Sequence, residues 1–313
     1  MLERLPRIGP RAYARVTKVA FVLLMLIVFT GAAVRLTGSG LGCPTWPKCH
    51  GHLITTKLDY HGAVEYGNRL ITGLVGVGAI AAALLAYLRR PFRRDLAWLG
   101  LLLPIGVIAQ AVLGGLTVLH HLAPGFVMGH FLLSLTVLAA AFALMWRARV
   151  EPDAPPIEDR RTVLAARAIV PVAIWVLILG TITTGSGPHP GTHGSEIAKR
   201  FTFHGGNTMD WMIHWHGRFS TFFGLCALAL WFYLRRQGAG ERVRRAATFL
   251  CLGIAAQGVI GFIQYENRLP TAIVWIHVCV ATLTWLAVLW TAASAGRLAP
   301  AHEPASDRLT ATA

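Results

Sequence analysis

Charged residues are scarce in this chain of 313 residues. Lys, Arg, Asp and Glu make up 14% of it, whereas soluble domains contain about 25%. Hydrophobic residues reach 55% and the mean hydropathy is +0.55, which excludes an ordinary soluble domain and a disordered chain. The composition therefore predicts an all-α membrane protein that crosses the bilayer several times.

Acidic residues are the scarcer charge, with 14 Asp and Glu against 29 Lys and Arg. A net charge of +15 would suit a nucleic-acid-binding protein, but the arginines do not form one basic face or tail. They occupy alternate loops, before the first apolar run, after the second and sixth, and between the fourth and fifth. The positive-inside rule then places both termini in the cytoplasm, and nucleic-acid binding is not needed to explain the charge.

A signal-peptide cleavage site is lacking after the first apolar run, and the N-terminal arm is short for an organelle presequence. We therefore expect a multi-pass protein of the bacterial plasma membrane. The two long loops that face outward, 37–61 and 185–210, both open with Thr-Gly-Ser-Gly. We expect the functional sites to lie toward that outer face.

The chain consists of a duplicated unit. Thr-Gly-Ser-Gly at 37–40 recurs at 184–187, and the segment 109–114 recurs in similar form at 256–261, both at an offset of 147 residues (from 37 to 184). A span needs about 20 apolar residues, and eight runs qualify: 16–36, 62–88, 96–117, 125–146, 163–183, 211–234, 246–264 and 271–292. The pattern predicts two tandem, pseudo-symmetric four-helix bundles: an N-terminal half over 1–150, a cytoplasmic linker over 151–162, a C-terminal half over 163–295 and a disordered tail over 296–313.

Five cysteines divide by depth. Three lie inside apolar runs, where a small buried hydrophobic side chain is the simplest interpretation: Cys226, Cys251 and Cys279. Cys43 and Cys49 instead flank a short segment of an outer loop. Because that side of a membrane is oxidising, we expect a structural or redox-active disulfide rather than free thiols.

Histidines inside the predicted helices are the main candidates for metal ligands. His130, His216 and His277 each lie about six residues inside the outer end of an even-numbered helix, roughly 9 Å deep. Two histidines at one depth on facing helices can clamp a haem iron from both sides, which predicts that His216 and His277 form such a pair. The alternative is two independent hydrogen-bonded polar side chains. His130 matches His277 at the repeat offset, but the position that matches His216 is Asn68 or Arg69.

Helix 2 carries a carboxylate in place of the missing histidine. Glu65, Asn68 and Arg69 have the spacing of one helix face. An ion pair between Glu65 and Arg69 would satisfy both groups without any function. We favour a proton-handling role for Glu65, because the second half keeps Arg218 but has no acid at the equivalent place.

Three arginines lie close to the predicted iron sites, namely Arg35, Arg69 and Arg218. Their guanidinium groups could pair with haem propionates through bidentate hydrogen bonds, or extend to the membrane surface instead. His61 lies one helical turn before Glu65 and is a candidate for relaying protons.

These residues bring out a family resemblance. The segment 31–49, with Thr-Gly-Ser-Gly and the two cysteines, and Glu-Tyr-Gly-Asn-Arg at 65–69, resemble haem A synthases, and so do Thr-Gly-Ser-Gly-Pro-His at 184–189 and the pair His216 and His277. The resemblance implies an enzyme that oxidises the C8 methyl group of haem O to a formyl group. Successive hydroxylations with water-derived oxygen would then give haem A for terminal oxidases.

The resemblance also implies roles for single residues. Glu65 is the catalytic carboxylate, His216 and His277 ligate haem B in the second half, and His130 ligates substrate haem O in the first. The Cys43 and Cys49 pair is the disulfide of the first loop. Expected partners are a haem O synthase, assembly factors of the terminal oxidase, an electron acceptor that the sequence does not name, the lipid bilayer and a second copy in a homo-oligomer.

Two departures from the family pattern stand out. Helix 2 carries Asn68 where the family commonly has histidine, so we expect haem O to be held by His130 alone, and the loop 185–210 lacks a second cysteine pair. A b-type electron-transfer cytochrome is the alternative function, although it would need two complete histidine pairs. A transporter would also show a repeat, but these halves share one orientation and lack paired helix breaks at mid-depth.

Overall fold

The computed structural model describes residues 7–52, 59–151, 157–192 and 199–298. Within these ranges it contains eight long helices, and the only β-type pairs are three isolated bridges. The helices are α1 Pro10–Leu36, α2 Tyr60–Leu88, α3 Arg94–Leu119, α4 Pro124–Arg147, α5 Arg160–Ser186, α6 Thr208–Arg236, α7 Glu241–Glu266 and α8 Thr271–Ser294. All eight are long and apolar enough to cross a membrane, which confirms the predicted fold class.

Most helices extend a few residues beyond the apolar runs. Helix α1, for example, begins at Pro10 and not at residue 16. Proline suits the first turn of a helix because its missing N–H would have no partner there. The apolar run marks the part of the helix inside hydrocarbon, while the capping residues set where the helix stops.

Each half forms a ring of four helices in chain order. In the first half α1 contacts α2 and α4, and α3 contacts α2 and α4; in the second half α5 to α8 repeat this arrangement. The halves meet through α1 against α8, α4 against α5 and α4 against α8. This exchange of equivalent helices is what a pseudo-two-fold axis between two units of the same orientation produces.

Two tryptophans on α8 join the halves. Trp275 donates its indole N–H to the carbonyl of Phe29 on α1 (3.0 Å), and Trp285 donates to the carbonyl of Leu135 on α4 (3.3 Å). Leu135 itself packs in the core of the second half. The outer surface, by contrast, exposes large apolar side chains such as Phe262, which is 66% exposed. A bundle that presents such residues outward is suited to lipid.

The repeat also appears in the backbone of the short links. His121 and Leu122, between α3 and α4, have φ of +49° and +55°, and Arg268 and Leu269, between α7 and α8, have +60° and +61°. Positive φ is uncommon outside glycine. Two such pairs at the same offset of 147 residues (from 121 to 268) therefore mark one shared link geometry.

Helices α2 and α6 resolve an ambiguity that the sequence leaves open. Asn68 contacts α1 through the Thr30 hydroxyl, as His216 lies against Gly180 of α5, whereas Arg69 donates to carbonyls of the loop before α2. Asn68, not Arg69, therefore takes the place of His216 in the first half.

The repeated tetrapeptide adopts two structures. In the first copy α1 ends at Leu36, Gly38 has φ of +69°, and the buried Ser39 hydroxyl bonds to the ring of His61 (3.0 Å). In the second copy α5 continues to Ser186, whose hydroxyl donates to the carbonyl of Ile182 in the preceding turn (3.1 Å). The prediction that both copies lie in outer loops is therefore wrong for the second. A partner on α2 draws the first copy out of the helix.

Parts of the predicted linker, tail and outer loop fall outside the described residues. These are 152–156, 299–313 and 193–198, so the disorder predicted for the tail stays a prediction beyond residue 298. The described end of that loop, 199–203, is not helical.

Gly42 offers a test of how the first outer loop packs. A Cβ atom there would lie 2.3 Å from the backbone carbonyl of His61 at the start of α2. This carbonyl cannot move away without displacing the start of the helix. We expect Gly42→Ala to lower stability by about 1–3 kcal/mol. Thermal unfolding, followed by tryptophan fluorescence, measures the loss.

Gly125→Ala is the matched control, because a Cβ atom at Gly125 would meet nothing within 4 Å. Equal melting temperatures for the two variants would show that the loop does not depend on this close approach.

Candidate functional site

The first outer loop is closed by a disulfide between Cys43 and Cys49, as the sequence predicts. Both cysteines are buried, at 0% and 1% exposure. Thr45 adds a hydrogen bond from its hydroxyl to the carbonyl of Lys48 within the closed segment (2.8 Å). The segment sits directly on the start of α2 and covers the carboxylate that lies there.

Glu65 is that carboxylate, and each of its two oxygens accepts a hydrogen bond. Oε2 accepts one from the backbone N–H of Cys43 (2.7 Å), and Oε1 accepts one from Nη2 of Arg69 (2.5 Å). Glu65 is 6% exposed, and a carboxylate so removed from water needs such partners to remain charged. The ion pair considered as a non-functional alternative is thus present, and it leaves the remaining lone pairs of the carboxylate for a further donor.

Arg69 connects helix α2 to the disulfide loop. Besides Glu65, it donates to the carbonyls of Cys43 (3.0 Å), Thr45 (3.1 Å) and Lys48 (3.3 Å). Both terminal nitrogens are therefore occupied by loop carbonyls and the carboxylate. The pairing of Arg69 with a haem propionate stays a prediction, and it would require Arg69 to leave these acceptors.

Arg35 spans the two halves at the same end of the bundle. It donates from α1 to the carbonyl of His189 (3.1 Å) and to that of Thr184 (3.0 Å). Arg200 donates to the same Thr184 carbonyl (2.8 Å) and to Gly187. Two guanidinium groups thus converge on the end of α5.

The sequence alone did not single out Arg200. Its signal is an arginine in a loop predicted to be outside, against the positive-inside pattern. Burial lowers the pKa of its guanidinium, but an arginine begins so high that it stays charged at neutral pH. Arg218, which the sequence did single out, lies over the ring of Trp215, 5.1 Å from its centre.

His216 and His277 face each other across the second half. Their ring centres are 6.5 Å apart and the ring planes are inclined by 67°. Imidazole nitrogens lie about 2 Å from a bound metal, and the ring centre is about 1 Å further, so two axial histidines on one iron have centres about 6 Å apart. The observed spacing fits a single haem iron between them.

Glycines on the odd-numbered helices provide the room for these rings. A Cβ atom at Gly114 would lie 3.1 Å from Cε1 of His130, one at Gly180 would lie 3.0 Å from Cε1 of His216, and one at Gly261 would lie 3.5 Å from Cε1 of His277. Carbon contacts are ordinarily about 3.5–4.0 Å. At Gly114 and Gly180 an added methyl group would therefore displace the ring by a few tenths of an ångström.

A glutamine supports each histidine of the helix pair α4 and α8. Gln110 donates to the carbonyl of His130 (3.1 Å), and Gln257 donates to that of His277 (3.0 Å). Both glutamines belong to the repeated segments at 109–114 and 256–261. The repeat located them, but only the structure reveals that they hold the histidine turn of the next helix.

Two of the three histidine rings have an unsatisfied nitrogen. Nδ1 of His130 and of His277 is buried and has no hydrogen-bond partner, whereas the His216 ring has the Val176 carbonyl within reach. A buried polar atom without a partner costs about 1–3 kcal/mol, and such atoms call for a ligand, water or ion. The two lie at equivalent places of the repeat, which agrees with rings that serve a bound group and not the helix bundle alone.

The fourth place of the pattern differs. Asn68 on α2 does not face a glycine; its Oδ1 accepts the hydroxyl of Thr30 on α1 (2.7 Å). Glu65 lies one turn before Asn68 on the same helix. The first half therefore carries one histidine on α4, and on α2 one amide held by a neighbour and one buried carboxylate.

Side chains alone do not form a metal-ion site in the part of the chain that the structure describes, because no group of three or more His, Cys, Asp or Glu is suitably placed. A haem iron needs only one or two, since the porphyrin supplies four nitrogens. A cavity of about 580 Å³ lies at the opposite, arginine-rich end, where Trp146, Arg149, Arg242, Arg245 and Trp290 contribute to its lining. It is separate from the histidines.

Comparison with known proteins identifies the family of this chain. The COX15-CtaA family, described as cytochrome oxidase assembly protein, matches residues 14–188, more than half of the chain. A protein named heme A synthase from Lysinibacillus sphaericus is 34% identical over 126 residues, 40% of this chain and 41% of that protein. One of the same name from Alkalihalophilus pseudofirmus is 33% identical over 135 residues, 43% and 44% of the two chains. The match thus spans about two fifths of these relatives' length.

The Glu65 and Arg69 pair predicts a specific pattern of stability. Arg69→Gln leaves the Glu65 carboxylate buried without its cation, at a cost of about 1–3 kcal/mol. Adding Glu65→Gln removes that charge, so we expect the double variant to melt higher than Arg69→Gln alone. Thermal unfolding of both variants and of Glu65→Gln completes the double-mutant cycle. A double variant that melts lower than Arg69→Gln would contradict a charge pair as the dominant contact.

Proposed function

The chain belongs to the COX15-CtaA family of cytochrome oxidase assembly proteins, and on that premise we propose that it is a haem A synthase. Its substrate would be haem O, whose C8 methyl group becomes the formyl group of haem A. The observation that carries the proposal is the pairing of His216 and His277 at 6.5 Å in one half, with a buried carboxylate on α2 of the other half.

The second half would hold haem B between His216 and His277. The glycines at 180 and 261 give the rings room, and the ring centres lie 6.5 Å apart. When bound, this haem supplies one-electron redox chemistry. The protein's part is to hold two neutral imidazoles at a fixed separation inside a dry bundle, which favours a haem with two axial ligands.

The first half would hold the substrate haem by His130. Gln110 fixes the turn that carries His130, and Gly114 lets the ring approach α3. Glu65 would then orient water and accept a proton at Oε1 or Oε2 as the methyl group is oxidised. Arg69 and the Cys43 N–H keep this carboxylate in place and exclude solvent from one side of it.

The proposed reaction consists of two successive hydroxylations of the methyl group. Each replaces one hydrogen of the methyl group by a hydroxyl group from water and releases two electrons and two protons. Loss of water from the resulting geminal diol gives the formyl group. The four electrons pass to an acceptor outside this chain, and the protons leave by Glu65, with His61 bonded to Ser39 at the outer end of α2 as the next group.

The arginine-rich ends would face the cytoplasm of a bacterium and the disulfide loop would face outward. A haem O synthase would supply the substrate and a terminal oxidase, with its assembly factors, would receive the product. Self-association would be through the lipid-facing surface.

A b-type electron-transfer cytochrome is the second candidate, favoured by the same histidine pair. Within the described ranges the first half has no histidine at the place of His216, because Asn68 stands there. Electron transfer across a membrane needs a second haem with comparable ligands. The buried Glu65 has no role in such a protein, and it is the feature that separates the two candidates.

Extraction of haems tests the proposal directly. The chain is produced in a host that makes haem O, and the haems are separated by chromatography. We expect haem A with the intact chain. Haem B without haem A would contradict the proposed enzymatic activity and favour the electron-transfer cytochrome.

Glu65→Gln gives a sharper prediction for the same assay. Loss of a proton-handling group lowers rates by about 10²–10⁴-fold, so we expect haem A to fall at least a hundredfold while haem B in the second half is unchanged. Glu266→Gln, at an exposed acid at the same end of the bundle, is the control and should retain haem A. Equal amounts of haem A from Glu65→Gln and Glu266→Gln would contradict the proposed role of Glu65.

A further inference from the structure

The two halves differ in how a side chain on the second helix meets the first helix. In the second half the His216 ring rests on Gly180 of α5, where a Cβ atom would lie 3.0 Å from Cε1. The equivalent residue of α1, at the offset of 147 residues (from 33 to 180), is Ala33. The first half therefore has a methyl group where the second needs open space.

The same face of α1 also holds Asn68. Thr30 lies three residues before Ala33, so both face the same way, and the Thr30 hydroxyl bonds to Asn68 Oδ1 at 2.7 Å, which places that face against α2. The amide is thus bound to α1. Leu177, the equivalent of Thr30 in the second half, has no hydroxyl that could hold a side chain in this way.

We propose that Thr30 and Ala33 are positioning residues that keep the α2 side of the first-half haem free of any protein ligand. The inference rests on the proposed haem O site and extends it. Ala33 fills the place that a histidine ring at position 68 would need, and Thr30 holds the amide on α1. The substrate haem is then bound through His130 only, and its other face is open beside Glu65.

An open face next to the carboxylate has a chemical purpose. A haem clamped by two histidines has no room for water on either side of its iron, which suits electron transfer. A haem with one histidine leaves one side to water that Glu65 can orient. The substitution of histidine by asparagine would then be one part of a matched set, together with Ala33 and Thr30.

Four forms of the first half test this coupling: the natural chain, Asn68→His, Ala33→Gly and the double variant. Each is purified with two haems per chain, and the spin state of the iron is read by absorption and electron paramagnetic resonance. The natural chain, Asn68→His alone and Ala33→Gly alone should each keep about half of the iron high-spin. The double variant should convert that half to low-spin.

Two results of this series would overturn the proposal. Conversion by Asn68→His alone would mean that Ala33 does not block a ring. A double variant that stays high-spin would mean that some other contact does.

The reciprocal change tests the same geometry in the second half without reference to haem O. Gly180→Ala should displace the His216 ring and convert the second-half haem from low-spin to high-spin. Gly258→Ala is the matched control, since a Cβ atom there meets nothing within 4 Å. An unchanged low-spin signal in Gly180→Ala would overturn the proposal.

Failure of the proposed function would look different from either result. If the chain forms no haem A but all variants follow the predicted spin states, the enzymatic role is wrong and the proposed coordination is supported. A chain that binds only one haem would lose the haem O site, and the Gly180→Ala result would still decide whether a methyl group on the odd helix excludes the ring.

Discussion

Polar groups inside a bundle surrounded by hydrocarbon must find partners within the protein, and this constraint shapes every feature of the site. It forces the backbone into eight helices. It explains why Glu65 is bound to both Arg69 and the Cys43 N–H. It also makes the unpaired Nδ1 atoms of His130 and His277 conspicuous, because a membrane protein has little reason to keep such atoms without a ligand.

Duplication supplied a scaffold in which this constraint is met twice in different ways. The glutamine that holds the α4 histidine has a copy that holds the α8 histidine, and the links before both helices share the same positive φ angles. The copies diverge along α1 and α2. There the tetrapeptide turns toward α2 through Ser39, and Thr30 binds Asn68. The divergence lies where the carboxylate is, which ties the loss of symmetry to the proposed chemistry.

The halves are also joined at the end that carries the site. Arg35 reaches from α1 to the end of α5 and to the second outer loop, and Trp275 bonds α8 to α1. A shift of one four-helix bundle would therefore also displace helices of the other. Two haem sites held by such a frame would keep a fixed separation, which suits the passage of electrons between them.

Much of the fold was accessible from the sequence, because a bilayer demands long apolar runs and loop arginines mark their ends. The eight helices, the disulfide and the candidate histidines follow from hydropathy, spacing and the repeat. From the sequence, His216 and His277 are expected to face each other only because they lie at one depth. Their 6.5 Å separation is known only from the structure. So are the roles of Gly114 and Gly180, since a glycine in a membrane helix has many uses and only the neighbouring ring identifies this one.

Three-dimensional packing settled the points at which identical sequences behave differently. Thr-Gly-Ser-Gly is a turn after α1 and helix in α5, because His61 takes the Ser39 hydroxyl while Ser186 has only its own helix to bond. Asn68 corresponds to His216 because each contacts the first helix of its own half, at Thr30 and at Gly180. Local patterns in the chain determine which segments cross the membrane and which polar residues enter it. The choice among partners for those residues depends on contacts between distant helices, and no pattern along the chain records them.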